Sequence, residues 1–372
     1  MVRNVVICVL CVVSPAVNPA PPAAPAQASR GFRMGFTPFP PDMTAEAVAA
    51  TDAFIAENGD LIAHHFDGGV PWPEALDYTA FAADVRNDWD RRKRLGAAKK
   101  VLVSVTPLNG GRNGLADYRG EKENMPLPAP FAGKGFDDPN VRTAYLNYCG
   151  RVVTHFEPDY LAIGIEVNEL IHHRPQAWEP FVGLYKYVRE QLKAGHPHLP
   201  IFATITLHNL TNPGWKDRET QQQKIREFLP LMDIVGVSYY PFMAGHGQQP
   251  TAILDWIAAF TDKPLAITET GFPADEIVLK TWNLTIPGDP AMQRTYYETL
   301  LSAAARDNYV FVVTFLHRDY DALWEKIRPA APEFFVVWKD CGLLDESGAP
   351  RPALETWKRY LNLSYKPHSN QP

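Results

Sequence analysis

A short, β-rich apolar run, then a loop holding Gly, Pro or Asn, then a longer stretch with apolar residues at helical spacing: this unit recurs over residues 32–361 of the 372-residue chain. The strand-like runs lie at 32–36, 61–65, 100–105, 160–165, 201–207, 234–238, 265–268 and 311–315. Helical patterns fall at 44–58, 141–156, 178–194, 221–231, 252–260, 291–307 and 353–361. Strands that alternate with helices pair in parallel, because each crossover helix returns the chain to the same end of the sheet. Eight such units predict an α/β fold, a single closed (β/α)8 barrel, which typically takes about 250 residues. The excess length is then assigned to long βα loops, and no Gly/Ser or Pro-rich linker divides residues 30–366. An open doubly wound sheet would carry a Gly-rich phosphate loop after its first strand, and neither GxGxxG nor GxxxxGK[ST] occurs here.

The two ends read differently from the middle. Residues 1–28 combine Arg3, an apolar run over 5–13 and the small-residue pattern Ala26-Gln27-Ala28, the marks of a secretory signal peptide. A secreted or periplasmic protein is therefore expected, with a catalytic domain over 29–366 and a flexible tail over 367–372. The apolar run falls short of the roughly 20 residues that span a bilayer as a helix, so no membrane partner is expected. Loss of the leader would remove Cys8 and Cys11 and leave Cys149 and Cys341, either bridged or as two buried thiols. With 36 Lys+Arg against 42 Asp+Glu, a net charge of −6 and no basic run longer than the RRKR at 91–94, the chain lacks the cationic face that grips nucleic acid. A monomer that needs no cofactor is expected.

Reactive groups in such barrels sit at the C-terminal ends of the strands. Here those ends carry His64-His65-Phe66-Asp67, Thr106-Pro107-Leu108-Asn109, Glu166-Val167-Asn168-Glu169, His208-Asn209, Tyr239-Tyr240-Pro241, Glu269-Thr270-Gly271 and His317-Arg318-Asp319. Glu169 and Glu269 end the fourth and seventh strands, on opposite sides of an eight-stranded ring, so their carboxylates can face each other across its mouth. Retaining glycosidases use such a pair at roughly 5–5.5 Å, one as nucleophile and one as acid/base.

The segments Ile165-Glu166-Val167-Asn168-Glu169, Val237-Ser238-Tyr239-Tyr240-Pro241 and Ile267-Thr268-Glu269-Thr270-Gly271-Phe272-Pro273 resemble the strand-four, strand-six and strand-seven motifs of clan A glycoside hydrolases, TIM barrels all. They are most similar to the endo-β-1,4-galactanase family, glycoside hydrolase family 53, and the tail over 342–353 resembles the closing segment common in such barrels. The resemblance implies Glu169 as general acid/base, Glu269 as nucleophile, Asn168 as ligand of the sugar 2-hydroxyl, and Tyr239 or Tyr240 as donor to the nucleophile. It implies hydrolysis of a neutral β-linked poly- or oligosaccharide by double displacement. A phenol bond would keep the nucleophile ionised, and that charge would in turn help the acid hold its proton. The first third departs from the family, with Ala63-His64-His65-Phe66-Asp67 and Val105-Thr106-Pro107-Leu108-Asn109 in place of its usual motifs. Strand eight likewise offers Thr314-Phe315-Leu316-His317 where members often place a Trp.

Other strand-end residues complete the expected groove. Glu166 is open between a sugar ligand and an ion pair inside the barrel. Of His64 and His65, adjacent on a strand, only one can enter the site; His65 is taken with Asp67, Asn109, His208 and His317 as substrate-binding candidates. Among the nine Trp, Trp72 is favoured as a sugar platform because it follows strand two closely, while Trp178, Trp215, Trp282 and Trp324 also fall in or near top-face loops. Two alternatives remain at this level: a carbohydrate-binding barrel without activity, and a metal-dependent amidohydrolase using His208 and Asp319. The second lacks the His-x-His that such barrels carry on strand one, and no metal ligands are assigned.

Overall fold

The structure, a computed structural model, describes residues 29–244, 250–369 and 371. The expected leader, 1–28, lies outside the described residues. Eight barrel strands follow in chain order: β1 (Arg33–Phe36), β2 (Leu61–Phe66), β3 (Lys100–Val105), β4 (Tyr160–Ala162), β5, β6 (Val235–Tyr239), β7 (Leu265–Thr270) and β8 (Phe311–Thr314). Strand β5 runs in two segments, Ile201–Phe202 and Thr204–Thr206. Its first segment pairs with β4 (Leu161 beside Ile201) and its second with β6 (Thr204 beside Gly236). All pairings in this sheet are parallel, and β8 joins β1 through Phe311–Thr314 against Arg33–Phe36, so the ring closes as the alternation predicts.

The crossover helices begin where the sequence supplies caps. Thr44 Oγ1 accepts from Ala47 N ahead of the helix Ala45–Asn58, Asp138 precedes Pro139–Phe156, and Asp289 precedes Pro290–Arg306. Pro139, Pro290 and Pro352 each occupy a first helical position, where a missing N–H costs nothing, so part of the proline surplus starts helices rather than loops. The helix Ala83–Gly96 is absent from the expected set. It buries only Val85, Trp89 and Gly96 and is otherwise charged, so its apolar stripe is too thin to register as periodicity. Strand β4 stops short of the expected 160–165. The chain bends from Ile163 onward, and within that turn Glu166 takes φ 53°, a left-handed conformation.

One apolar core fills the barrel and the layer between strands and helices. A second, smaller one sits above β6–β8, where Tyr240, Phe242 and Leu316 pack with the hairpin Ile277–Leu279/Leu284–Ile286, the helix Asp321–Ile327 and the 3-10 turn Glu333–Trp338. This cap walls one side of the C-terminal mouth. At the opposite end Ser29–Arg30 pairs with Ser364–Tyr365, and Gln371, within the stretch 367–372 expected to be a flexible tail, donates its amide to the carbonyls of Gly31 and Tyr309. Cys149 and Cys341 are buried free thiols, not a bridge. Among the described residues no helix is long and apolar enough to cross a membrane.

Candidate active site

Glu269, on β7, is mostly buried at the mouth. Its Oε1 accepts from the Tyr240 hydroxyl, and its Oε2 lies 3.6 Å from His65 Nδ1. Strand pleating decides which of each adjacent pair arrives. Tyr240 and His65 reach the carboxylate; Tyr239 is fully buried against Tyr296, its hydroxyl unpaired, and His64 is fully buried beside Phe66 and Phe156. Of the two tyrosines expected near the nucleophile, Tyr239 is therefore a core residue.

Two carboxylates arrive from the β4 loop. Glu166 accepts from Ser238 Oγ of β6 at 2.8 Å and from Arg112 Nη2 at 3.1 Å. Arg112 also grips Asp67 with both terminal nitrogens, each at 2.8 Å, the two-pronged geometry in which guanidinium and carboxylate match best. Burial works against the guanidinium charge, but Asp67 and Glu166 outweigh it and hold Arg112 protonated. Arg112 sits at φ 50° and Glu166 at φ 53°, so two left-handed residues meet in one ion pair, the kind of strain that collects at functional sites. Glu169 opens the five-residue helix Glu169–His173, and its Oε2 lies 3.4 Å from His173 Nε2.

The proton affinities run opposite to the expected division. Burial raises Glu269, with the negative charges of Glu166 and Asp67 adding to it and His65 and Tyr240 opposing. Glu169 is also pushed up by burial, yet the hydrogen bond from His173, the charges of His208 and His173 and the Asn209 amide bring it below its ordinary value. The reason is local: the helix turn that starts at Glu169 places His173 one turn on, a partner for the ionised form.

Several expected ligands lie elsewhere. Asn168 is fully buried; its Nδ2 donates to Thr206 O and Gln221 Oε1, each at 3.0 Å, and its Oδ1 accepts from Thr206 N at 2.7 Å, which ties the β4 loop to β5 and leaves the amide nothing for a sugar hydroxyl. Trp72 is fully buried against Phe131 and Tyr145 and donates Nε1 to Ala116 O at 2.8 Å, so it is a core tryptophan and not a platform. His317 packs on Phe54 of the first helix, outside the mouth, and burial with Arg318 lowers it to about 4. Asn109 spends its side chain on Asn113 within the β3 loop. Asp319 is tied to Arg351 and to Gly342 N, which uses its carboxylate in a loop contact. His208 does stand near Glu169, with its Nδ1 unpaired and its charged form disfavoured by burial. Arg112 and His173 escape sequence reading: Arg112 lies among glycines in an aperiodic loop, and His173 matters only because Glu169 begins a helix turn.

No family model matches the chain. It is 25% identical over 205 residues to an uncharacterised protein encoded in the bgaB 5′ region of Niallia circulans, covering 46% of this chain and 53% of that one. Among solved structures it is similar to an exo-β-1,4-mannosidase from an Opitutaceae bacterium (TM-score 0.60, 13% identity, 90% of this chain and 60% of that one). It is also similar to a family 5 subfamily 18 glycoside hydrolase from Bifidobacterium longum subsp. infantis (TM-score 0.60, 15% identity, 90% and 80%), and to fungal β-1,4-galactanases (TM-score 0.54, 18% identity, 83% and 90%). The chain thus spans about half of its curated relative and about three-fifths of the mannosidase. A closed parallel ring with its polar cluster at the C-terminal mouth, and these likenesses across the length of the barrel, make the chain a (β/α)8 TIM barrel of the fold that clan A glycoside hydrolases share.

Proposed function

We propose that the protein is an exported retaining glycoside hydrolase that cleaves β-glycosidic bonds of a neutral poly- or oligosaccharide, with Glu269 as nucleophile and a carboxylate of the β4 loop as acid/base. The observation that carries this reading is the set around Glu269: a phenol hydrogen bond, a histidine on its other oxygen, and a second carboxylate close enough to shift its proton affinity. The solved structures that share the fold are named as mannosidase, galactanase, xylanase and glucuronidase. In this barrel the negative charges of Asp67, Glu166, Glu169 and Glu269 favour a neutral sugar over a uronide, since Arg112 is already occupied by two of them.

In the first half-reaction Glu269 attacks the anomeric carbon while the acid/base protonates the departing oxygen; in the second that group takes a proton from water as the glycosyl ester is hydrolysed. Glu169 is the first reading of the acid/base, on its motif. A second reading gives the role to Glu166, because Glu166 is bonded to β6 and acts on the charge of Glu269, whereas Glu169 is drawn toward His173 and His208.

The test is a panel of p-nitrophenyl β-glycosides and of galactan, mannan, xylan and β-glucan, with Glu269→Ala, Glu169→Ala and Glu166→Ala beside wild type. Loss of activity on the order of 10³-fold or more is expected for Glu269→Ala. The acid/base variant should retain activity on the activated aryl glycoside and be accelerated by azide, which identifies Glu169 or Glu166. Full activity of Glu269→Ala would reject the nucleophile assignment. Proton NMR of the first-formed anomer reports retention, and inversion would reject double displacement.

A further inference from the structure

Trp215, one of the tryptophans that fall in or near the top-face loops, lies half-buried on the loop that follows β5. Its ring meets that of His172 at 4.4 Å and 60°, and His208 stands 6.5 Å away. This is the rim on which Glu169 and His173 sit. We infer that Trp215, backed by His172, is the platform for the leaving-group sugar, and that it sets the preference for an oligosaccharide over a simple glycoside. The inference rests on the glycosidase reading but not on the choice between Glu166 and Glu169. Both come from the β4 loop, and whichever protonates the departing oxygen must have the leaving group beside it. The leaving sugar therefore lies over the β4–β5 rim, while the aromatic cap above β6–β8 stands on the other side of Glu269.

The support under the platform is continuous. His172 Nδ1 lies 3.0 Å from Asp217 Oδ2; the same oxygen accepts from Gln221 Nε2 at 3.2 Å, and Gln221 Oε1 accepts from Asn168, which is bonded to the β5 backbone. Asn168 and Gln221 are fully buried. A chain of bonds thus runs from the barrel wall to the histidine against which Trp215 packs, and it keeps an otherwise loop-borne ring from moving away. An indole face held in this way suits the apolar C–H face of a pyranose, and a platform fixed before binding loses less on association.

The experiment compares two substrates of one glycone, chosen as the p-nitrophenyl β-glycoside that wild type hydrolyses fastest: its β-glycosyl fluoride, whose leaving group is a single atom, and its β-1,4-linked trisaccharide. Trp215→Ala should keep kcat/KM on the fluoride within about twofold and lose about tenfold or more on the trisaccharide. Trp215→Phe should recover part of that loss. His172→Ala should show the same selective loss in smaller measure. Equal losses on both substrates, or no loss on either, would overturn the platform. A wild type inert on every glycoside would instead overturn the glycosidase reading on which it rests, so the two failures are distinct.

Discussion

Burial drives Glu269 toward its neutral form, and the Tyr240 hydroxyl and His65 pull it back toward the carboxylate that nucleophilic attack requires. Because a phenol bond favours the charged form, Tyr240→Phe should raise the Glu269 pKa. Activity that needs ionised Glu269 is then lost at a higher pH, so the acidic limb of kcat/KM should move upward, with a rate loss on the order of tenfold at the optimum. A pH profile of the variant against wild type checks it, and an unmoved limb would remove Tyr240 from this role. Arg112 poses a different balance at the same scale. Arg112→Leu leaves Asp67 and Glu166 facing each other without a cation, and a loss of about 1–3 kcal/mol is expected for partly exposed groups that lose a charged hydrogen-bond partner. Urea denaturation measures that loss. Of these residues, Glu269, Tyr240, His65 and Asp67 were legible as strand-end polar groups, whereas Arg112 was not, because nothing local distinguishes an arginine among loop glycines.

Trp72 shows how an element changes the meaning of a residue. It opens the short helix Trp72–Leu76, which packs on Pro139–Phe156, and its ring is enclosed by Phe131 and Tyr145. Trp72→Ala should therefore cost about 3–5 kcal/mol in urea denaturation, the cavity cost of a large aromatic, with KM on any accepted glycoside unchanged in the folded fraction. A selective rise in KM without loss of stability would return it to the substrate groove. Proximity to a strand end did not distinguish the two roles, since the loop can carry a ring either over the mouth or down against the helices. The strands and most crossover helices were legible from periodicity. The charged helix Ala83–Gly96 was not, because three buried positions are enough to dock it once neighbours exist but too few to stand out in the sequence.

Across the whole molecule, acid should weaken the fold through buried neutral histidines. Burial, with Arg318, holds His317 at about 4, while an unfolded histidine titrates near 6.5. Above that value both states are neutral and nothing is lost. As pH falls from about 6.5 to about 4 the unfolded state binds the proton first, so stability falls over that window by up to ~3 kcal/mol. His317→Leu should flatten the change in melting temperature between pH 7 and pH 5; an unchanged pH dependence would show that other groups dominate, His64 among them, since burial lowers it too. The eightfold alternation by itself determined the barrel, its parallel pairing and the end on which chemistry would lie, because hydrophobic period and chirality are local properties that sum along the chain. It also determined that carboxylates from strands four and seven would be present. Only the tertiary structure decided which of His64 and His65, and of Tyr239 and Tyr240, stands against Glu269, and that Asn168, Trp72 and His317 do not. Those choices depend on how the chain turns between the end of β4 and Glu169 and how each strand's pleat is phased against its neighbours, and both are fixed by contacts between residues far apart in sequence.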